Sequence, residues 1–147
     1  MATCPVTPMR SQGGWHMGEG RYAVPTDKSV DQAVKAVEAA LAKRSFSVLW
    51  ALDMNAKLGE KGLALRGQFR VLEVCSAPRA KEALESNPLV SYFLPCKVVV
   101  YERDGRTEIG VPLPSSLIGL LGDSTLQPLA LEVEAALVAA ADEAAVA

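Results

Sequence analysis

The residues of this chain best suited to chemistry are its thiols, Cys4, Cys75 and Cys96. Cys75 closes an apolar run, VLEVC, and directly precedes Ser76 and the segment SAPRAKEALESNP. Pro78 in that segment marks the first turn of a helix, where a missing N–H costs nothing. A thiol beside a helix N-terminus is expected to be acidified, because free N–H groups and the macrodipole favour the thiolate. Cys75 is therefore the better candidate nucleophile for exchange or transfer. Glu73 shares a strand face with Val71 and Cys75. If enclosed, it needs a partner such as Arg70, Arg79 or Lys97, or its pKa rises. A raised carboxylate next to a thiol would have the character of a site. The candidate catalytic groups are thus Cys75, Cys96 and Glu73, and the candidate ligand contacts are Cys75, Ser76, Glu73, Lys97 and Tyr101.

Whether Cys75 and Cys96 can meet depends on strand direction. Residues 76–95 lie between them and include the helix. A crossover between parallel strands would leave the thiols about 20 Å apart, one strand length, whereas a disulfide needs Cα atoms closer than about 7 Å. Antiparallel pairing would let them meet. Thiolates suit zinc or copper(I), but two cysteines are an incomplete set. Cys4 and the single histidine, His16, lie in the N-terminal segment, so no metal and no cofactor is expected. A domain without histidine cannot assemble a Ser-His-Asp triad. GEKG at 59–62 lacks the Gly-Lys-Ser/Thr ending of a phosphate loop.

The elements that must position these groups follow from periodicity. Val30, Val34, Val37 and Leu41 form one stripe of an amphipathic helix over 28–44, capped by Thr26 or Asp27. GRYAVP at 20–25 reads as a short strand. SFSVLWAL at 45–52 reads as another, with Phe46, Val48, Trp50 and Leu52 on one face. Asp53 caps a short helix that Gly62 stops. GQFRVLEVC, residues 67–75, is a further strand.

The strongest local signal is LPCKVVVYERDGRTEIGVPLP, residues 94–114. Asp104-Gly105 is a type I′ hairpin turn, which needs positive φ at both central residues. The turn sets the register: Arg103 faces Arg106, Tyr101 faces Glu108, and Val100 faces Ile109. Cys96, Val98, Val100, Ile109, Val111 and Leu113 then share the core face, where a buried cysteine is usually inert. Lys97, Val99, Tyr101, Arg103, Arg106, Glu108 and Gly110 share the other. Ser124 or Thr125 with Pro128 starts a last helix whose buried stripe is Leu126, Leu129, Ala130, Val133 and Leu137.

The fold class expected is α+β: a single mixed or antiparallel sheet of four to five strands, with the 28–44 and 125–141 helices packed on one face. Residues 1–19 read as a flexible leader, 20–141 as a single domain and 142–147 as a frayed tail. The chain has 147 residues and a net charge of −2. Its Lys and Arg are scattered, which argues against a nucleic-acid partner. No stretch reaches the roughly 18 apolar residues of a membrane span, and no signal-peptide core precedes the domain. Reduced thiols in a cytoplasmic protein are therefore expected.

Taken together, VLEVC-SAPRAKEAL-ESNPLVSYF-LPCKVVVYERDG resembles the domain-of-unknown-function 302 family. In that family a strand ends in Cys-Asn-Pro, and an Ala-rich helix leads to Leu-Pro-Cys and a Val-rich hairpin. The resemblance spans roughly residues 20 to 140. Ser76 and Ala77 depart from it, standing where Asn-Pro is usual. Ser is an equally good N-cap, so the helix should persist. The resemblance implies the fold, two recurring cysteines and a tendency to form homodimers, but no reaction.

Two functions stay open. One is a homodimeric small-ligand-binding or interaction domain, in which a second copy covers Leu89, Tyr92, Phe93, Val99 and Tyr101, or the SYFLP stretch forms a lid over the protein's own core. The other is thiol-dependent redox or sulfur handling by Cys75, with or without Cys96.

Overall fold

The computed structural model describes residues 10–11, 15–18 and 20–146. The remainder of the expected leader, Cys4 included, lies outside the described residues. Among the described residues, seven strands form one antiparallel sheet: β1 (Arg10–Ser11), β2 (Trp15–Gly18), β3 (Arg21–Thr26), β4 (Ser47–Asp53), β5 (Phe69–Cys75), β6 (Cys96–Arg103) and β7 (Arg106–Pro112). Their order is β1-β2-β3-β7-β6-β5-β4. The five longer strands are the sheet that the sequence predicts, and β1 and β2 extend it beyond β3. Every pairing is antiparallel, which decides between the mixed and antiparallel alternatives. Helices α1 (Val30–Ala42) and α5 (Gln127–Ala145) cover one face. Helices α2 (Met54–Gly59), α3 (Ala77–Ser86) and α4 (Pro114–Gly119) are shorter, and 3₁₀ turns span Pro88–Tyr92 and Ser124–Leu126.

The hairpin forms as its turn chemistry dictates. Asp104 and Gly105 take φ of 51° and 75°, and Tyr101 pairs with Glu108 and Val100 with Ile109. Val98, Val100, Ile109 and Val111 are each at most 1 % exposed. They meet Leu72 and Val74 of β5, Val37 and Leu41 of α1, and Leu137 of α5 in one core. Burying each such side chain contributes about 1.5–3 kcal/mol.

Three local expectations are corrected, and one element is added. The cap of α1 is Ser29, not Thr26 or Asp27. Its side chain accepts from Gln32 N–H while the Gln32 side chain accepts from Ser29 N–H, a reciprocal box. On β4 the register shifts between Val48 and Trp50. This bulge splits the expected single face: Val48 packs on the core, whereas Trp50 is 53 % exposed. A period-2 reading cannot anticipate an inserted residue.

The tail does not fray after residue 141. Helix α5 continues to Ala145 because Ala144 is buried, Tyr22 Oη donates to Asp142, Thr26 Oγ1 donates to the Ala145 carbonyl at 2.8 Å, and Lys28 Nζ donates to the Ala144 carbonyl at 2.7 Å. Helix α4, with its Leu117 and Ile118, has no counterpart among the expected elements. The segment PLPSSLIGLLG has too few turns for a clear period.

Candidate functional site

Beyond the end of the sheet, α3, α4 and the 3₁₀ turns pack on the first half of α5. Ala83, Val90, Ile118, Leu126 and Ala130 form a second, smaller apolar cluster there. Between it and the main core lies a cavity of about 450 Å³. Phe46, Val74 and Val133 wall it on the core side, and Ala83, Val90 and Ile118 on the other. Such a volume suits a small molecule, and so does the predominance of apolar wall with a few polar groups.

Those polar groups include most of the residues singled out from the sequence. Cys75, Cys96, Ser76, Glu73 and Lys97 all border the cavity. Tyr101 does not. It lies on the open face of the sheet, where it donates to Glu108 Oε2 at 2.6 Å and stacks on Phe69 with ring centroids 6.1 Å apart. Its ring also covers Gly110, whose missing Cβ would sit 3.7 Å from it. Burial and the Glu108 hydrogen bond raise its pKa.

Antiparallel pairing of β5 and β6 brings the thiols to one place. The residue opposite Cys96 is Val74, however, not Cys75. Since alternate residues of a strand point to opposite faces, Cys75 and Cys96 leave their strands on opposite sides of the sheet and reach the cavity around its end. Both are free thiols. Side chains that diverge in this way cannot be bridged without moving the backbone.

The expected acidification of Cys75 is also reversed, since burial pushes its pKa up. Cys75 is the last residue of β5 and Ser76 stands between it and α3, so desolvation outweighs the helix end. Burial pushes the Cys96 thiol up to about 11, and charge on Cys75 would add to the rise. At neutral pH both sulfurs are protonated, apolar wall groups and poor nucleophiles. Nothing in this arrangement favours thiol exchange.

Glu73 and Lys97 are register partners on β5 and β6 and form an ion pair at the mouth of the cavity. Of the three partners expected for Glu73, Arg70, Arg79 and Lys97, it is Lys97 that pairs with it, while Arg70 binds Asp31 and Asp53. Arg79, which the sequence suggested only as a partner for Glu73, instead binds Glu132 of α5 at 2.8 Å and lies over the Phe46 ring, 5.7 Å from its centroid. Among the described residues no group of three or more His, Cys, Asp or Glu is placed to hold a metal ion. No described helix is long and apolar enough to cross a membrane.

The walls contributed by Leu94, Pro95, Leu117 and Ile118 were not picked out from the sequence. The one available signal was the density of apolar residues in SYFLP, which reads equally well as a lid or as a contact surface.

Against known proteins, the profile of a family described as "Domain of unknown function DUF302" matches residues 22–144. Among solved structures, the chain is similar to an uncharacterized conserved protein DUF302 from Bacillus stearothermophilus. That match has 37% sequence identity and a TM-score of 0.83, and it covers 86% of this chain and 99% of that one. A search of curated proteins returns no match.

Proposed function

For a chain that belongs to the DUF302 family, a family described by no activity, we propose a small-ligand-binding role centred on the cavity at the end of the sheet. The observation that carries this is a space of about 450 Å³ walled mainly by apolar side chains between two separate clusters. A single packed core excludes such a space. The thiols serve as uncharged wall, which fits a ligand with a largely apolar body.

Two further parts of the proposal concern setting. The domain works as a homodimer, because the sheet face away from α1 and α5 leaves Trp50 53 % and the neighbouring Leu49 59 % exposed. Apolar surface of this kind gains by being covered. It works in the cytoplasm, where free thiols such as Cys75 and Cys96 remain reduced.

Displacement of a fluorescent apolar dye tests the binding role. Ala80 borders the cavity, and Ala80→Phe should fill it and lower dye affinity at least about tenfold, the effect of losing one well-buried apolar contact region. Undiminished uptake by Ala80→Phe overturns the assignment. Native mass spectrometry of protein from its own cells would show the occupant. Light scattering tests the dimer, and a monomer at micromolar concentration overturns that part alone.

A further inference from the structure

The cavity has one polar end that the fold leaves unfinished. Ser76 is the N-cap residue of α3, a helix of 10 residues, yet its side chain makes no capping hydrogen bond. It is only 5 % exposed and borders the cavity. Its hydroxyl meets no hydrogen-bond partner among the described residues. Buried hydroxyls are almost always paired, so an orphan one that borders a cavity calls for a partner inside it.

The same turn offers a further donor. Ala80 N–H bonds the Ser76 carbonyl at 2.9 Å, the first bond of the helix. Pro78 has no N–H and Ala77 does not line the cavity, so the free first-turn amide on a residue that borders it is that of Arg79. Together with the helix dipole it favours an acceptor carrying negative charge.

The surrounding carboxylates are paired, so none is left free to oppose an anion at this end. Glu73 is held by Lys97, and Glu132 by Arg79. Both thiols are kept protonated by burial, so neither opposes an anion.

We propose that the ligand is an amphipathic monocarboxylate, with its apolar chain in the cavity and its carboxylate on the Ser76 hydroxyl and the Arg79 amide at the start of α3. This rests on the cavity being a binding site and names what that site selects.

Calorimetric titration of the full chain with decanoate below its micelle concentration and with 1-decanol below its solubility limit separates the two readings. Decanoate should bind at least about tenfold more tightly than the alcohol, the usual advantage of a charge-assisted hydrogen bond. Ser76→Ala should remove most of that preference, lowering decanoate affinity more than decanol affinity. Equal affinities in the unaltered protein, or a preference that survives in Ser76→Ala, overturn the carboxylate assignment and leave the cavity reading intact. So does a protein that takes up the apolar dye but not decanoate. Failure of both ligands, with dye uptake indifferent to Ala80→Phe, overturns both.

Discussion

The two apolar clusters of this protein are built to different standards. The main core is a sandwich of the β3–β7 strands against α1 and α5, and its largest side chains, among them Leu41, Leu72, Ile109 and Leu137, are fully buried. The smaller cluster, under α3, α4 and the 3₁₀ turns, has no fully enclosed side chain except Val90 at 1 %. It also borders the cavity. Strands constrained by a continuous ladder of hydrogen bonds present their side chains at fixed spacing, so facing helices can interdigitate closely. Short helices joined by loops lack that ladder and can stand apart around a space. Stability resides in the first region, and room for a ligand in the second.

Truncations of like residues test this contrast most strongly. Leu137→Ala in the main core should cost about 2–5 kcal/mol in chemical denaturation, the range for fully buried leucines. Leu126→Ala in the small cluster should cost roughly 2 kcal/mol or less, since its surroundings are looser and can relax. Equal losses would mean that the two regions are packed alike.

Additions of volume should show the reverse asymmetry. Ala33, which is completely buried between α1 and the sheet, has no room for a larger side chain, and Ala33→Leu should cost about 1–3 kcal/mol. Ala80→Phe, which fills existing space, should stay within about 1 kcal/mol of the unaltered protein. A large loss from Ala80→Phe would show that the cavity closes in solution.

The thiol at the border of the two regions supplies a pH test. Burial raises the Cys96 pKa from 9.0 to about 11 in the folded chain. The folded state therefore holds its proton where the unfolded state has lost it. The contribution is fully present below pH 9.0 and is lost as pH rises to about 11. Denaturation midpoints should fall across that window, and Cys96→Ala should flatten the fall. Reaction of Cys96 with a thiol reagent should stay slow at pH 8 for the same reason.

The smallest effect belongs to the ion pair at the mouth. The Lys97 side chain is 47 % exposed and that of Glu73 18 %, so solvent screens the pair. Glu73→Gln should change stability by about 0.2–1 kcal/mol. A larger loss would indicate that the mouth is more enclosed than the side chains show.

The sequence by itself determined whatever depends on short-range geometry. The Asp104-Gly105 reversal set the β6–β7 register, because only residues tolerant of positive φ can occupy both positions. Alternation then sorted Val98, Val100, Ile109 and Val111 inward, and the helical stripes of α1 and α5 followed from their period. The family was legible too, from the linked run of strand-end cysteine, Ala-rich helix and Leu-Pro-Cys.

Only the tertiary structure decided what depends on how distant segments meet. The β4 bulge turned Trp50 away from the face of Val48. Tyr22 and Thr26 held the far end of α5, which reads as a loose alanine tail until Asp142 and Ala144 are seen against the sheet. The site followed the same division. Cys75, Ser76, Glu73, Lys97 and Cys96 were visible as residue types, but desolvation, a property of the whole fold, raised the thiol pKa that local sequence suggested would fall. The cavity is the space left between two clusters, and its walls come from β5, β6, α3, α4 and α5 together. No single stretch of sequence encodes a void, because a void is set by the distance at which separately folded pieces stop approaching one another.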